Sequence, residues 1–287
     1  MNATKAFDCY LQAREFISRR TQNSVKLAID LFQNAINLDP QYSAAYAGLG
    51  EAYSIIYRDF NREEKLLDQA FEVGLKAVEF DPTSSEAYAA LGLSYFGKND
   101  LRKALETTRK AIELDGNNYN AYWILSRIYH SEDRDREATE ALEKLLKINS
   151  EFLQAYPDLK MFYERLGEKE KHKNILQLNI TAFSEYLKKH PDDSYKQMSL
   201  AVALAEAGRK EEAKAEGENA LRYSSKDPII MYYGACLYSR LDEKQHAIEL
   251  LKKAVENGYG NFEWIKRDPD FENIRNEAGY IELTKNK

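Results

Sequence analysis

Apolar residues recur along this chain in two helical patterns that follow one another. Three segments carry the first pattern, namely AYAGLGEAY at 45–53, AYAALGLSY at 87–95 and AYWILSRIY at 121–129. In each of them a Tyr is followed by a Leu, a small residue and a second Tyr at offsets of three, four and seven. Side chains at these offsets share one face of a helix, so the pattern predicts three amphipathic helices.

A second pattern precedes each of these helices, at 28–40, 69–82 and 103–116. Alanines recur there seven residues apart, and each segment ends in Leu-Asp-Pro, Phe-Asp-Pro or Leu-Asp-Gly. Pro cannot continue a helix, and Gly supplies the backbone conformation that ends one. The sequence therefore predicts a repeated unit of helix A, a short turn, helix B and a stop.

This unit resembles the tetratricopeptide repeat, in which small residues lie where two helices cross closely. The resemblance implies an all-α fold, a right-handed superhelical solenoid of helix-turn-helix repeats. Numbering by the 34 positions of that family gives seven repeats over 6–261, with boundaries at 6–42, 43–84, 85–118, 119–152, 153–193, 194–227 and 228–261. The residue at position eight is small in six of them: Ala13, Gly50, Gly92, Ser126, Ala201 and Ala235. Position twenty is alanine in the same six: Ala28, Ala70, Ala104, Ala138, Ala213 and Ala247.

The fifth repeat and the C-terminus depart from this pattern. The fifth repeat has seven extra residues, and its second half, up to Pro191, is predicted to form one extended helix. After residue 261 the pattern changes, and apolar residues such as Phe271 and Ile274 are expected to cover the open end of the last repeat. We therefore predict that 262–287 is a capping segment.

Composition excludes several other classes of protein. The formal net charge is −6 and the pI about 5.5, without a long basic block, so nucleic acid is not an expected partner. No apolar stretch approaches the roughly 18 residues that a membrane-spanning helix needs, and the N-terminus does not resemble a signal peptide. We therefore expect no membrane insertion and a cytoplasmic location. Cys9 and Cys236 lie far apart in the sequence, which argues against a disulfide framework or a structural zinc site.

Catalytic motifs are not found in the sequence. The four histidines do not form the i, i+4 pair of zinc proteases, and no phosphate-binding loop or nucleophile elbow occurs. We therefore predict a protein that is not an enzyme, with no catalytic residues, no metal site and no cofactor.

The resemblance implies that the concave face formed by the A helices binds a peptide or a partner protein. Aromatic residues and arginines most often dominate binding energy, and the candidates on this face are Phe96, Trp123, Arg127, His130, Tyr232 and Arg240. Trp123, Arg127 and His130 are spaced i, i+4 and i+7, so they are predicted to form one stripe, with Phe96 of the preceding repeat beside it. The alternative is that Trp123 only packs between adjacent A helices while His130 is solvated.

Two functional hypotheses follow. The first is a protein-interaction scaffold that takes a peptide or partner into its groove. The alternative is a sensor or regulatory module cut from a larger bacterial signalling protein, because the opening AFDCYLQAREFISRRT and the ending GYGNFEWIKRDPDFENIR are similar to such arrays. In that group the N-terminal half is a kinase, a nucleotide cyclase or a DNA-binding transcription regulator, and a membrane-anchored parent would change the expected compartment. The sequence leaves the oligomeric state open.

Overall fold

The computed structural model describes residues 2–285, which fold into α-helices and one 3₁₀ segment with no β-strand in that range. The all-α helical repeat fold predicted from the sequence is therefore confirmed. The first seven helices are α1 (Asn2–Arg19), α2 (Gln22–Leu38), α3 (Ser43–Asp59), α4 (Glu64–Phe80), α5 (Ser85–Gly97), α6 (Leu101–Leu114) and α7 (Tyr119–Ser131). The next seven are α8 (Asp135–Ile148), α9 (Ala155–Arg165), α10 (Lys169–Lys189), α11 (Ser194–Glu206), α12 (Lys210–Tyr223), α13 (Pro228–Arg240) and α14 (Lys244–Glu256). The chain ends with α15 (Phe262–Arg267), a 3₁₀ segment (Pro269–Ile274) and α16 (Ala278–Thr284).

The helices form two compact units. The first unit comprises Met1–Ser18, Ser24–Tyr57 and Glu63–Leu176. The second comprises Gln177–Lys287 together with two short segments, Arg19–Asn23 and Arg58–Arg62. The boundary between the two units lies within helix α10, between residues 176 and 177.

Small residues allow the helices to approach closely within each unit. The six alanines at position twenty are all fully buried, with 0% exposure. In the first unit, a Cβ atom added to Gly92 on α5 would lie 2.4 Å from the Thr108 hydroxyl oxygen on α6. Because real Cβ atoms essentially never come so close, only glycine is accommodated there without movement of the Thr108 side chain or its helix.

Five of the turns between paired helices share one backbone feature. Asn99, Asp133, Gly167, Gly208 and Asp242 each lie between two paired helices and have positive φ, from 56° to 78°. Asn, Asp and Gly are the residue types that adopt this left-handed conformation most readily. Successive members are 34 residues apart, except that 41 residues separate Gly167 from Gly208.

The longer spacing is explained by α10. This helix has 21 residues, whereas α6, α8 and α12 have 14 each. The seven additional residues therefore lengthen α10, and the sequence prediction of one extended helix before Pro191 is confirmed.

The C-terminal residues pack onto the last helix pair of the second unit. Ile265, Phe271 and Ile274 are each 0% exposed, and Tyr280 donates its hydroxyl hydrogen to the carbonyl oxygen of Ile265 at 2.7 Å. Asp268 accepts a hydrogen bond from the backbone N–H of Asp270 and so begins the 3₁₀ segment. The last two residues of the predicted capping segment, 286 and 287, lie outside the described residues.

Candidate functional site

The A helices of the first unit together line a hollow. Its lining comes from α1, α3, α5 and α7, with Asn118 from the turn before α7. Five small residues from α3 and α5 take part: Ala44, Ala47, Gly48, Ala89 and Ala90. Because these side chains end at a methyl group or earlier, they leave space between the larger Tyr10 on α1 and Trp123 on α7, which also line the hollow.

One ion pair lies within this hollow. Arg14 Nη1 is 2.5 Å from the Glu51 carboxylate, and this neighbouring charge raises the pKa of the guanidinium above its ordinary value. Tyr10 packs against Phe32 and Tyr42, with ring centroids 6.0 and 5.5 Å away. Burial, followed by the negative charge of Glu86, raises the pKa of Tyr10 to about 12. Tyr10 is therefore a neutral hydroxyl at physiological pH, held in place by aromatic neighbours.

Trp123 is largely buried on α7. Its side chain packs edge to face with Phe152 at 6.2 Å, and its indole Nε1 donates to the Asp158 carboxylate on α9 at 3.1 Å. The residue as a whole is 8% exposed. The indole is thus fixed by neighbours within the first unit and leaves only a small area to solvent.

Arg127 lies against two aromatic rings at once. Its guanidinium carbon is 5.2 Å from the centroid of Trp123 and 5.9 Å from that of Phe96 on α5. These distances are typical of cation–π interactions. The predicted placement of Phe96 beside the stripe on α7 is therefore found in the structure.

Arg127 differs from other arginines of the A helices in its polar partners. Arg14, Arg165 and Arg240 each pair with a carboxylate. Within residues 2–285, no carboxylate forms an ion pair with Arg127, and its buried Nε has no hydrogen-bond partner. The protein therefore holds this guanidinium in a fixed orientation without neutralising it.

His130 completes the stripe, but it has partners of its own. Its Nδ1 lies 2.8 Å from the Asp135 carboxylate, and its ring packs on Phe162 with centroids 5.0 Å apart. The other oxygen of Asp135 accepts from Arg165 Nε at 2.6 Å. His130 is thus held between α8 and α9 with 30% of its side chain exposed, rather than being simply solvated.

The remaining two candidates are Tyr232 and Arg240. Both lie on α13 in the second unit, and the chain's own C-terminal segment covers them. Tyr232 is 1% exposed, and its hydroxyl donates to the carboxylate of Asp268. Arg240 Nε donates to Asp270 Oδ1 at 2.6 Å, and Arg240 Nη1 is 3.5 Å from Glu206. Tyr232 is closed to a partner in this structure, and Arg240 is engaged by two carboxylates with 22% of its side chain exposed. The segment that was predicted to cover the end of the last repeat also occupies the face of α13.

Cys236, Asp268 and Asp270 form the one group of potential metal ligands found among residues 2–285, with their ligand atoms within 4.8 Å of one another. The protein's own donors already bond the two carboxylates, since Tyr232 bonds Asp268 and Arg240 bonds Asp270. The nearby guanidinium also disfavours a second cation. We therefore assign this group to the packing of the C-terminal segment and not to metal binding.

Two features of these faces were missed from the sequence. The hollow depends on small residues, and alanine or glycine in a helix signals close packing as readily as an open space. The position of the C-terminal segment over α13 depends on tertiary contacts such as that between Asn273 Nδ2 and the carbonyl oxygen of Ser239, at 3.1 Å. No local spacing in the sequence indicates that contact.

Comparison with known families gives three matches to one kind of repeat. Family models described as tetratricopeptide repeat match residues 85–118, 119–152 and 180–228. The chain is also 32% identical over 94 residues to a chloroplastic protein of Arabidopsis thaliana. That match covers 31% of this chain and spans 28% of the length of the curated relative.

Solved structures show a similar fold. The thermophilic tetratricopeptide protein TTC0263 of Thermus thermophilus matches with a TM-score of 0.50 and 18% identity, over 69% of this chain and 98% of that one. Human IFIT1, solved as a dimer with m7Gppp-AAAA, matches with a TM-score of 0.61 and 15% identity, over 86% of this chain and 58% of that one. At these identities the similarity concerns the fold alone. Among the described residues, no helix has both the length and the apolar character needed to cross a bilayer.

Proposed function

This chain carries tetratricopeptide repeats, and we propose that it is a protein-interaction scaffold that binds a peptide or partner protein on the A-helix face of its first unit. The division into seven repeats over 6–261 and a capping segment is part of this proposal. The role as a regulatory module of a larger signalling protein stays a prediction, as do the cytoplasmic location and the exclusion of nucleic acid. We further propose that the chain has no catalytic site of its own.

The observation that carries the proposal is the state of Arg127. A buried guanidinium N–H without a partner costs about 1–3 kcal/mol, and charged groups cost more. The stacking of Arg127 between Trp123 and Phe96 restricts its motion, so a ligand would find it already oriented. Aromatic residues and arginine are also the types that contribute most to binding at interfaces. These properties support a binding role for Phe96, Trp123 and Arg127, with His130 at the end of the same stripe.

The test uses parallel capture experiments. Wild-type protein, Arg127→Ala, Trp123→Ala and a control variant would each be immobilised and exposed to the same lysate, and captured proteins would be identified by mass spectrometry. Arg102→Ala is a suitable control, because Arg102 is an exposed arginine on α6. Circular dichroism would establish that each variant keeps its helical content.

A protein that binds the proposed face should be captured by wild type and by Arg102→Ala but not by Arg127→Ala. With the purified partner, Arg127→Ala should raise the dissociation constant about 30-fold or more, which corresponds to a loss of about 2 kcal/mol of binding free energy. If Arg127→Ala captures the same proteins with unchanged affinity, the proposed face is not the binding site.

A further inference from the structure

The contacts of the C-terminal segment show which kinds of side chain an A helix of this protein can bind. In the second unit, Asp270 pairs with Arg240 of α13, and the adjacent Phe271 packs edge to face on Tyr232 with centroids 5.5 Å apart. Two consecutive residues, one acidic and one aromatic, thus contact an arginine and an aromatic ring of the same helix. Phe271 is 0% exposed, so this contact is fully packed.

The first unit presents the same two kinds of group without such a segment. Arg127 and Trp123 lie on one helix, and Phe96 extends the aromatic surface from α5. Phe96 and Arg127 are both half-buried, so part of each side chain stays accessible. The aromatic contact has a counterpart here, because Phe152 packs edge to face on Trp123. The acidic group that pairs with Arg240 has no counterpart at Arg127 among residues 2–285.

We infer that the partner segment bound at this face carries an acidic residue next to an aromatic one, with the carboxylate on Arg127 and the ring against Phe96. The inference rests on the function proposed above and specifies the chemistry of the ligand. The segment Asp270-Phe271 is its intramolecular template.

Electrostatics favours an acidic segment over a basic or a purely apolar one. A carboxylate would form charge-assisted hydrogen bonds with a guanidinium that has no ion-pair partner in the described protein. A basic segment would be repelled by the same group, and a purely apolar segment would cover the guanidinium without offering an acceptor. Asp158 is engaged elsewhere, because its carboxylate accepts from the Trp123 indole.

The test uses a defined probe, a synthetic peptide with the sequence of residues 267–275, RDPDFENIR, acetylated and amidated at its ends. The protein is the full chain carrying Trp264→Phe, in which Trp123 is the only remaining tryptophan, since the sequence has two. Binding would be followed by Trp123 fluorescence and by the NMR signal of its indole N–H. Two control peptides carry Asp270→Asn or Phe271→Ala, and a third has lysine in place of both aspartates.

The unmodified peptide should shift the Trp123 signals in a saturable manner. The peptide with Asp270→Asn and the peptide with Phe271→Ala should each bind at least about tenfold more weakly, and the lysine peptide should not saturate. Arg127→Gln in the protein should lower the affinity for the unmodified peptide by a similar factor. Arg102→Ala should leave the affinity unchanged.

Three outcomes would overturn the inference: equal binding of the Asp270→Asn peptide, preference for the lysine peptide, or unchanged binding to Arg127→Gln. The last result would mean that the peptide binds without using Arg127, for example in place of the chain's own C-terminal segment on α13. These outcomes are separable from failure of the proposed function. If captured proteins depend on Arg127 but the peptide neither binds there nor competes with them, the scaffold proposal stands and the ligand chemistry is different.

Discussion

Tyr232 on α13 donates its hydroxyl hydrogen to the carboxylate of Asp268, so a buried acidic group joins the C-terminal segment to the last helix pair of the second unit. Burial, reinforced by the negative charge of Asp270, raises the pKa of Asp268 to about 7. The carboxyl group therefore holds its proton more tightly in the folded protein than in the unfolded chain, where its pKa is about 3.9.

This shift predicts the pH dependence of stability. Between about pH 4 and pH 7 the folded state binds more protons at Asp268 than the unfolded state, so the free energy of unfolding falls as the pH rises and levels off above pH 7. Acidic groups whose pKa is lowered in the folded protein, such as Asp135, change the free energy of unfolding mainly at pH values below this range. Urea denaturation of wild type should therefore show a midpoint that decreases from about pH 5 to pH 7.

The variant Asp268→Asn should remove most of this decrease. The control Asp100→Asn changes a more exposed helix-capping aspartate, which accepts from the Lys103 N–H at 3.1 Å, and should keep the wild-type slope. An equally steep slope in Asp268→Asn would show that another group is responsible.

Removal of the Phe271 side chain should release the C-terminal segment. Phe271 is 0% exposed and contacts the rings of Tyr232 and Tyr280, so Phe271→Ala should cost about 3–5 kcal/mol through lost burial and the cavity left behind. Hydrogen exchange should then show loss of protection in residues 262–285. Phe7→Ala is the matched control, because Phe7 is 49% exposed, and it should change stability by less than about 0.5 kcal/mol. Unchanged protection in Phe271→Ala would contradict the packing described for this segment.

The two cysteines should react at different rates. Both thiols are free, but Cys236 is fully buried, and burial together with Asp268 and Asp270 raises its pKa well above its usual range. Cys9 is partly exposed. A thiol reagent such as DTNB should titrate one thiol rapidly in native protein and two after denaturation.

In Phe271→Ala the second thiol should become reactive without denaturant, because release of the C-terminal segment would uncover Cys236. The variant Cys236→Ser identifies the slow thiol, because only the rapid reaction of Cys9 should remain in it. Two rapid thiols in native wild type would show that Cys236 is accessible.

Periodic features of the sequence predicted much of this structure because the repeat imposes the same contacts at the same positions. The six alanines at position twenty are fully buried, and Phe96 lies beside Arg127 as the numbering of the repeats required. Interactions that occur once could not be predicted in this way. The pairing of Arg240 with Asp270 joins residues 30 apart across the end of the repeat pattern, where no register connects them. His130 was predicted to belong to the binding stripe, with a solvated histidine as the alternative. Its partner Asp135 follows in the next helix, and only the folded turn brings the two together.

The length of α10 has a consequence for helical phase. One residue rotates an α-helix by about 100°, so seven extra residues add about 700°, close to two full revolutions. The stripe of buried residues on α10, formed by Ile175, Leu176, Asn179, Ile180 and Phe183, can therefore continue on one side through the added turns. An insertion of five residues would add about 500° and turn the following side chains well away from that stripe. The added length is thus one of the few that lengthens the helix without changing which side of it is buried.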